Sequence, residues 1–124
     1  MDKVGWYTYN NITGITGTED LSGGNTIPEG SGTHEVGQKA GNSLNLFDMS
    51  GNVLEWCYDT YDAINKGVVK NPTGPIETEK NYKIVRGGAW YVDATYAQVT
   101  NRQRYYEMSG RGSGRGFRIV RTCK

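Results

Sequence analysis

The sequence predicts an α+β domain that contains a small antiparallel sheet, much irregular loop and little helix. Glycine accounts for 18 of the 124 residues, which is about twice the ordinary share and indicates many tight turns. Short β-branched and aromatic segments recur in the second half of the chain, and no segment carries apolar residues at helical spacing. The length is that of one domain, residues 1–124.

The elements follow in order along the chain. Residues 8–33 are rich in Asn, Gly, Thr and Ser and predict loop, as do residues 62–80 and 107–115. Residues 92–97 fit one turn of helix. Strands are predicted at 52–59, 83–91, 98–106 and 116–123, and we expect four apolar residues of these strands to be buried: Trp56, Val85, Phe117 and Ile119.

Charge is divided unevenly between the two halves. Residues 1–62 hold two basic and nine acidic side chains, a net charge of −7, whereas residues 63–124 hold twelve basic and four acidic side chains, a net charge of +8. The overall charge of +1 argues against a non-specific nucleic-acid binder. No apolar run is long enough to span a membrane.

Cysteine and histidine chemistry is limited by their number. Two cysteines, Cys57 and Cys123, and one histidine, His34, are too few for a four-ligand zinc site. The two cysteines could form a disulfide or remain as buried thiols, and the sequence leaves both open. Cys57 lacks a nearby base, which disfavours a nucleophilic role.

A short acidic segment could hold a cation. Asp48 and Glu55 flank Gly51 and Asn52, and carboxylates, amides and turn carbonyls are the ligands of Ca²⁺. The alternative is that both carboxylates only cap turns. The Gly/Arg stretch 110–116 is a poor phosphate loop, since it precedes a strand and does not lead into a helix.

Residues 90–115 have the composition of a recognition surface, with rigid aromatic anchors among adaptable polar groups. The alternative is a half-exposed strand with ordinary cross-strand pairs. We expect Tyr91, Tyr96, Arg104, Tyr105 and Tyr106 to be at least partly exposed and close together. The candidate ligand-binding residues are Trp90, Tyr91, Asp93, Tyr96, Gln98, Asn101, Gln103, Arg104, Tyr105, Tyr106, Ser109, Arg111, Ser113 and Arg115.

Four blocks in order resemble the formylglycine-generating enzyme (sulfatase-modifying factor) family. The resemblance covers roughly residues 30–121 and corresponds to the C-terminal half of the usual domain, leaving 1–33 as a loop-rich part before a family-matching core, 34–124. The blocks are His34-Glu35-Val36-Gly37-Gln38-Lys39, the run from Asn42 to Trp56, Arg86-Gly87-Gly88-Ala89-Trp90, and Gly116-Phe117-Arg118.

The resemblance implies a C-type-lectin-like fold and a structural Ca²⁺ site. Asp48 and Glu55 would give side-chain oxygens to the ion, and Gly51 and Val53 backbone carbonyls. The family's oxidase activity uses a copper-binding cysteine pair, whose positions here are Val92 and Ala97. The resemblance therefore implies no copper and no enzymatic activity, with a divergent oxidoreductase acting on a sulfatase cysteine as the alternative.

The same fold carries the variable proteins of diversity-generating retroelements, in which the stretch between the last two blocks is mutagenised. This resemblance implies a non-catalytic module that binds a protein or glycan ligand through residues 90–115. No secretory leader follows Met1, which predicts a cytoplasmic or virion-associated protein, or a cell-surface protein if a leader was removed.

Overall fold

The computed structural model describes residues 1–10, 30–64, 67, 70, 82–106 and 112–121. Within them lie four strands: β1 (Leu54–Thr60), β2 (Tyr82–Arg86), β3 (Gln103–Tyr106) and β4 (Arg115–Gly116). They form one sheet in the order β3-β2-β1-β4. The first three strands fall where the sequence predicts them, and β2 and β3 are shorter than predicted.

The sheet is mixed and not purely antiparallel. β1 pairs antiparallel with β2, and β2 antiparallel with β3, but β4 runs parallel to β1. The predicted antiparallel pairing is confirmed for β1, β2 and β3, whereas the last segment returns along the free edge of β1 in the same direction as β1. A register shift between Trp56 and Thr60 bends β1 away from regular pairing with β2.

The predicted last strand, 116–123, is largely wrong among the described residues. β4 ends at Gly116, and Phe117 and Ile119 are 75% and 85% exposed. The two residues were expected in the core because their segment is β-branched and apolar. Beyond Gly116, however, Arg118 turns its guanidinium to the carboxylate of Glu55, and the segment does not continue the ladder with β1.

The core is small and lies against one face of the sheet. Leu54, Val85, Ala89 and Val92 are buried together, and the burial of Val85 confirms the expectation for this residue. Three larger side chains, Trp56, Tyr91 and Tyr105, are partly buried and pack against this cluster. Aromatic rings thus form the outer layer of the core, where one edge of each ring stays close to water.

Residues near the N-terminus are hydrogen-bonded to the loop before β1 and to the backbone of Val92. The N–H of Asn52 donates to the carbonyl of Trp6 (2.7 Å), and the N–H of Thr8 to the carbonyl of Val92 (3.1 Å). Asn52, which is 5% exposed, also accepts from the N–H of His34 (2.9 Å) and donates to its carbonyl (3.0 Å). One buried amide therefore fastens the loop at residue 34 to the loop before β1.

A single-turn 3₁₀ helix, Ala94–Ala97, confirms the predicted turn of helix at 92–97. It begins at Asp93, whose side chain accepts a hydrogen bond from the N–H of Thr95 (2.8 Å) and so satisfies a donor that the first turn leaves unpaired. In the ranges that the structure describes, no helix has the length and apolar character that crossing a membrane requires.

Candidate ligand-binding surface

Strand pairing decides which side of the sheet each candidate residue occupies. Residues directly opposite each other in a sheet point to the same face, and successive residues to opposite faces. Gln103 pairs with Val85, which in turn pairs with Trp56, so these three share the core face. Arg104 pairs with Ile84 and therefore lies on the opposite face of the sheet from Gln103 and Tyr105.

Three of the candidate residues meet over the core face and are named here the tyrosine–arginine cluster: Tyr91, Tyr105 and Arg115. Tyr105 lies on β3 and Arg115 on β4, the two outer strands of the sheet. The guanidinium carbon of Arg115 is 4.3 Å from the centre of the Tyr105 ring, within the range of a cation–π contact. The two side chains therefore reach across the sheet from its two outer strands and contact each other.

Tyr91 completes the cluster from the loop after β2. Burial, followed by the electrostatic interaction with Tyr105, raises the pKa of Tyr91. The ring of Tyr91 packs directly on Gly114, where a larger residue would overlap it. Because Gly114 directly precedes Arg115, the same loop that supports Tyr91 also positions the guanidinium.

Trp56, which is not among the candidate ligand-binding residues that the sequence predicts, supports the cluster from β1. Its ring meets that of Tyr105 edge to face, with the ring centres 6.3 Å apart, a favoured geometry for aromatic pairs. Trp56 and Tyr105 are both half-buried. The pairing register of the strands places Trp56 on the same face as Tyr105, and a single sequence does not reveal that register.

Other candidate residues have structural roles or lie apart from the cluster. Trp90 is only 4% exposed, so it belongs to the interior and not to the exposed surface that its inclusion implied. Asp93 caps the 3₁₀ helix. The carbonyl of Asn101 accepts a hydrogen bond from Arg86 (3.0 Å), and Gln103 is half-buried.

Several candidates are exposed to solvent. Tyr96 is 36% exposed on the 3₁₀ helix, and Gln98 and Ser113 are exposed. Tyr96 and Arg104 were expected to group with Tyr91 and Tyr105. Arg104 does not, because it stacks on Tyr82 on the other face of the sheet. The side chain of Tyr106, and Ser109 and Arg111 entirely, lie outside the described residues.

The two positions expected for a copper-binding cysteine pair carry small apolar side chains that are buried. Val92 is 7% exposed and Ala97 is 8% exposed. Cys57, the cysteine within the described residues, is a free thiol in β1. Burial is the main cause that raises the pKa of Cys57, which lowers its thiolate fraction near neutral pH.

The residues expected to bind Ca²⁺ fit that ion only in part. Asp48 Oδ2 accepts a hydrogen bond from the N–H of Gly37 (2.7 Å), while Oδ1 is buried without a hydrogen-bond partner among the described residues. The carbonyl of Gly51 accepts from the N–H of Val53 (2.9 Å). Glu55 does not fit, since both of its oxygens accept hydrogen bonds from Arg118. Calcium at these residues stays a prediction.

Comparisons with known proteins agree with this architecture. The "Chaperone protein LppX" of Paenibacillus barcinonensis is 30% identical over 125 residues, which are 98% of this chain and 39% of that protein. The "Serine/threonine-protein kinase Pkn1" of Chlamydia trachomatis is 36% identical over 84 residues, which are 65% of this chain and 13% of the kinase. The chain thus spans less than half the length of either relative.

A solved structure, Treponema denticola variable protein 1, superposes with a TM-score of 0.70 at 31% identity, covering 93% of this chain and 34% of that one. The sulfatase-modifying factor enzyme 1-like domain matches residues 7–123, so the match begins earlier than the blocks indicate and includes the segment that packs against Asn52. The chain therefore belongs to the family of the sulfatase-modifying factor enzyme 1-like domain and has a C-type-lectin-like fold.

Proposed function

We propose that this protein is a non-catalytic binding module that holds a protein ligand on a surface centred on the tyrosine–arginine cluster. The observation that carries the proposal is the similarity to Treponema denticola variable protein 1 over 93% of this chain. A shared fold alone does not assign a function, so the proposal also draws on the chemistry of the cluster and of the positions beside it.

The cluster has the properties of an interface anchor. Tyrosine and arginine are enriched among the residues that dominate binding energies. Here Tyr91 rests on Gly114 and Tyr105 lies between Trp56 and Arg115, so the rings are already held in place before a ligand binds. Side chains ordered in advance lose less conformational entropy on association.

The surroundings of the cluster suit a surface that changes while the fold persists. Gly112 and Ser113 are exposed in the turn before β4, whereas the core consists of Leu54, Val85, Ala89 and Val92. Variable proteins of diversity-generating retroelements, which the sequence also resembles, change such positions. We propose that the exposed residues of 91–115 serve the same purpose here.

The absence of catalysis is the second part of the proposal. Valine and alanine at positions 92 and 97 have no group that ligates copper or exchanges with a substrate thiol. Cys57 is half-buried in β1, and its raised pKa opposes thiolate chemistry. The chain therefore lacks, among its described residues, the pair of thiolates that formylglycine formation by this family would use.

A displayed library tests the binding surface. Tyr91, Tyr105, Ser113 and Arg115 are randomised on the yeast surface, and the library is selected against hen egg-white lysozyme. The matched control randomises four exposed residues outside 90–115: Val36, Leu44, Tyr58 and Ile64. We expect binders from the cluster library, enriched in Tyr and Arg and melting cooperatively. Binders from the control library alone would place recognition elsewhere.

Catalysis is tested separately with the purified protein, Cu(I), oxygen and a sulfatase-type cysteine peptide. We expect the peptide to keep its thiol by mass spectrometry. Conversion of the peptide cysteine to formylglycine above the level of a protein-free control would contradict the non-catalytic assignment and favour the oxidoreductase.

A further inference from the structure

One ion pair joins Arg118, in the segment after β4, to Glu55 in β1. We propose that Arg118 supplies the positive charge at Asp48 and Glu55, so that the domain holds this junction together without Ca²⁺ and binds none there. The inference concerns the four residues expected to ligate calcium and is independent of the proposed ligand surface.

The geometry of the pair is bidentate. Arg118 Nε donates to Glu55 Oε2 (3.0 Å), and Arg118 Nη2 donates to Glu55 Oε1 (2.6 Å). Planar guanidinium and carboxylate groups match in this arrangement, which is the strongest kind of charge-assisted hydrogen bond. The side chains are 33% and 22% exposed, so the contact is partly shielded from water and salt.

The same guanidinium reaches the second acidic residue. Arg118 Nη2 also donates to the backbone carbonyl of Asp48 (3.1 Å). The hydrogen bond to Glu55 is the main cause that raises the pKa of Arg118, and the charge of Asp48 adds to it. The guanidinium of Arg118 thus contacts both residues that were expected to give side-chain oxygens to a metal, Glu55 through its carboxylate and Asp48 through its backbone carbonyl.

A calcium ion would have to compete for the same oxygens. Ca²⁺ takes six to eight oxygen ligands at about 2.3–2.6 Å, and here both carboxylate oxygens of Glu55 point at a guanidinium. Displacing Arg118 would break its hydrogen bonds to the carboxylate of Glu55 and to the carbonyl of Asp48. It would also leave the guanidinium close to the calcium ion, and both are positively charged. Across the described part of the chain, no three His, Cys, Asp or Glu side chains gather in a way that could hold a metal ion.

The position of Arg118 explains what the pair does for the fold. β4 contributes only two ladder residues, with Glu55 paired to Gly116. Arg118 follows two positions later and binds the side chain of that same Glu55. The ion pair therefore extends the attachment of the last segment to β1 after the backbone ladder has ended.

Melting temperatures of the chelator-treated protein test the inference. We expect the wild type to melt at the same temperature, within about 1 °C, in EGTA and in excess CaCl₂, because nothing that binds only the folded state would be added or removed. Arg118→Gln and Glu55→Gln should each lower the melting temperature by roughly 4–8 °C, a range set by the loss of one charged hydrogen-bonded pair. The double variant should melt no lower than either single variant.

Arg121→Gln is the matched control, since Arg121 is an exposed arginine of the same segment, and its melting temperature should stay near that of the wild type. The inference is overturned if Arg118→Gln behaves like this control. It is also overturned if calcium raises the melting temperature of the wild type by several degrees, or if calorimetric titration of the wild type shows a saturable Ca²⁺ site.

Discussion

A single methyl group added at Gly51 should damage this fold severely. The φ of Gly51 is +82°, and a Cβ there would overlap the backbone of Trp6, including the carbonyl oxygen that accepts the hydrogen bond from Asn52. The neighbouring atoms are backbone and cannot rotate away like the end of a side chain. Gly51 also donates its own N–H to the carbonyl of Gly87 (2.6 Å), so a shift of the loop would disturb two attachments.

The expected cost of Gly51→Ala follows from three contributions. The left-handed conformation costs a residue with a Cβ about 1–2 kcal/mol. Overpacking adds roughly 1–3 kcal/mol, and the two displaced backbone hydrogen bonds about 1 kcal/mol each. The total of about 4–7 kcal/mol approaches the whole stability of a small domain.

Two other glycines separate these contributions. Gly37 has a φ of +77° with nothing within 4 Å of an added Cβ, and Gly32 has neither a positive φ nor a close neighbour. We expect Gly37→Ala to lose about 1–2 kcal/mol. Gly32→Ala should be neutral or gain up to about 1 kcal/mol, because alanine restricts the unfolded chain.

Urea unfolding followed by tryptophan fluorescence measures all three variants. With a slope of about 2 kcal/mol per molar urea, the midpoint of Gly51→Ala should fall by roughly 2–3.5 M and that of Gly37→Ala by about 0.5–1 M. If Gly51→Ala loses no more stability than Gly37→Ala, the close contact between this loop and the Trp6 backbone is not part of the folded state.

Two pH-dependent predictions concern single side chains. The hydroxyl group of Tyr7 donates to Asp2 Oδ1 (2.6 Å), which raises the pKa of Tyr7 to about 12. The contribution of this contact to the free energy of unfolding is fully present below about pH 10. It should be lost as the pH rises toward 12. Phenolate absorbance should show a tyrosine that titrates near pH 12 and that Asp2→Asn shifts to lower pH, and an unchanged profile in that variant would refute the contact. Burial raises the pKa of Cys57, so iodoacetamide at pH 8 should modify it, by peptide mapping, more slowly in the folded protein than in urea, and equal rates would contradict its half-buried position.

Local sequence predicted the strands that carry their own signal. β2 contains Ile84 and Val85, and β1 begins with Leu54 and Trp56, residues that suit a half-buried pleated surface. The C-terminal segment around Phe117 has the same signal, yet its backbone forms only a short ladder. Strand propensity depends on the segment itself, whereas a ladder needs a neighbouring strand to pair with. The sequence of this segment does not indicate how much of the edge of β1 is available for pairing.

The candidate surface was predicted in composition but not in arrangement. Tyr91, Tyr105 and Arg115 do meet, and their types were the reason for choosing them. Arg104 was chosen for the same reason and faces the other way, because neighbouring residues of a strand alternate between faces. Arg118 was recognised only as part of a sequence block, because the sequence does not show that it lies beside Glu55.

The parallel pairing of β4 with β1 has a consequence for how the chain reaches this structure. Leu54 pairs with Arg115 and Glu55 with Gly116, residues that are far apart in the sequence, and no long helix within the described residues offers an early local nucleus. Closing such distant pairs costs chain entropy before any contact rewards it, and domains dominated by non-local pairing fold in roughly milliseconds to seconds. While β4 has not yet docked, the free edge of β1 is open to strands of other molecules. Refolding yield should therefore fall as protein concentration rises.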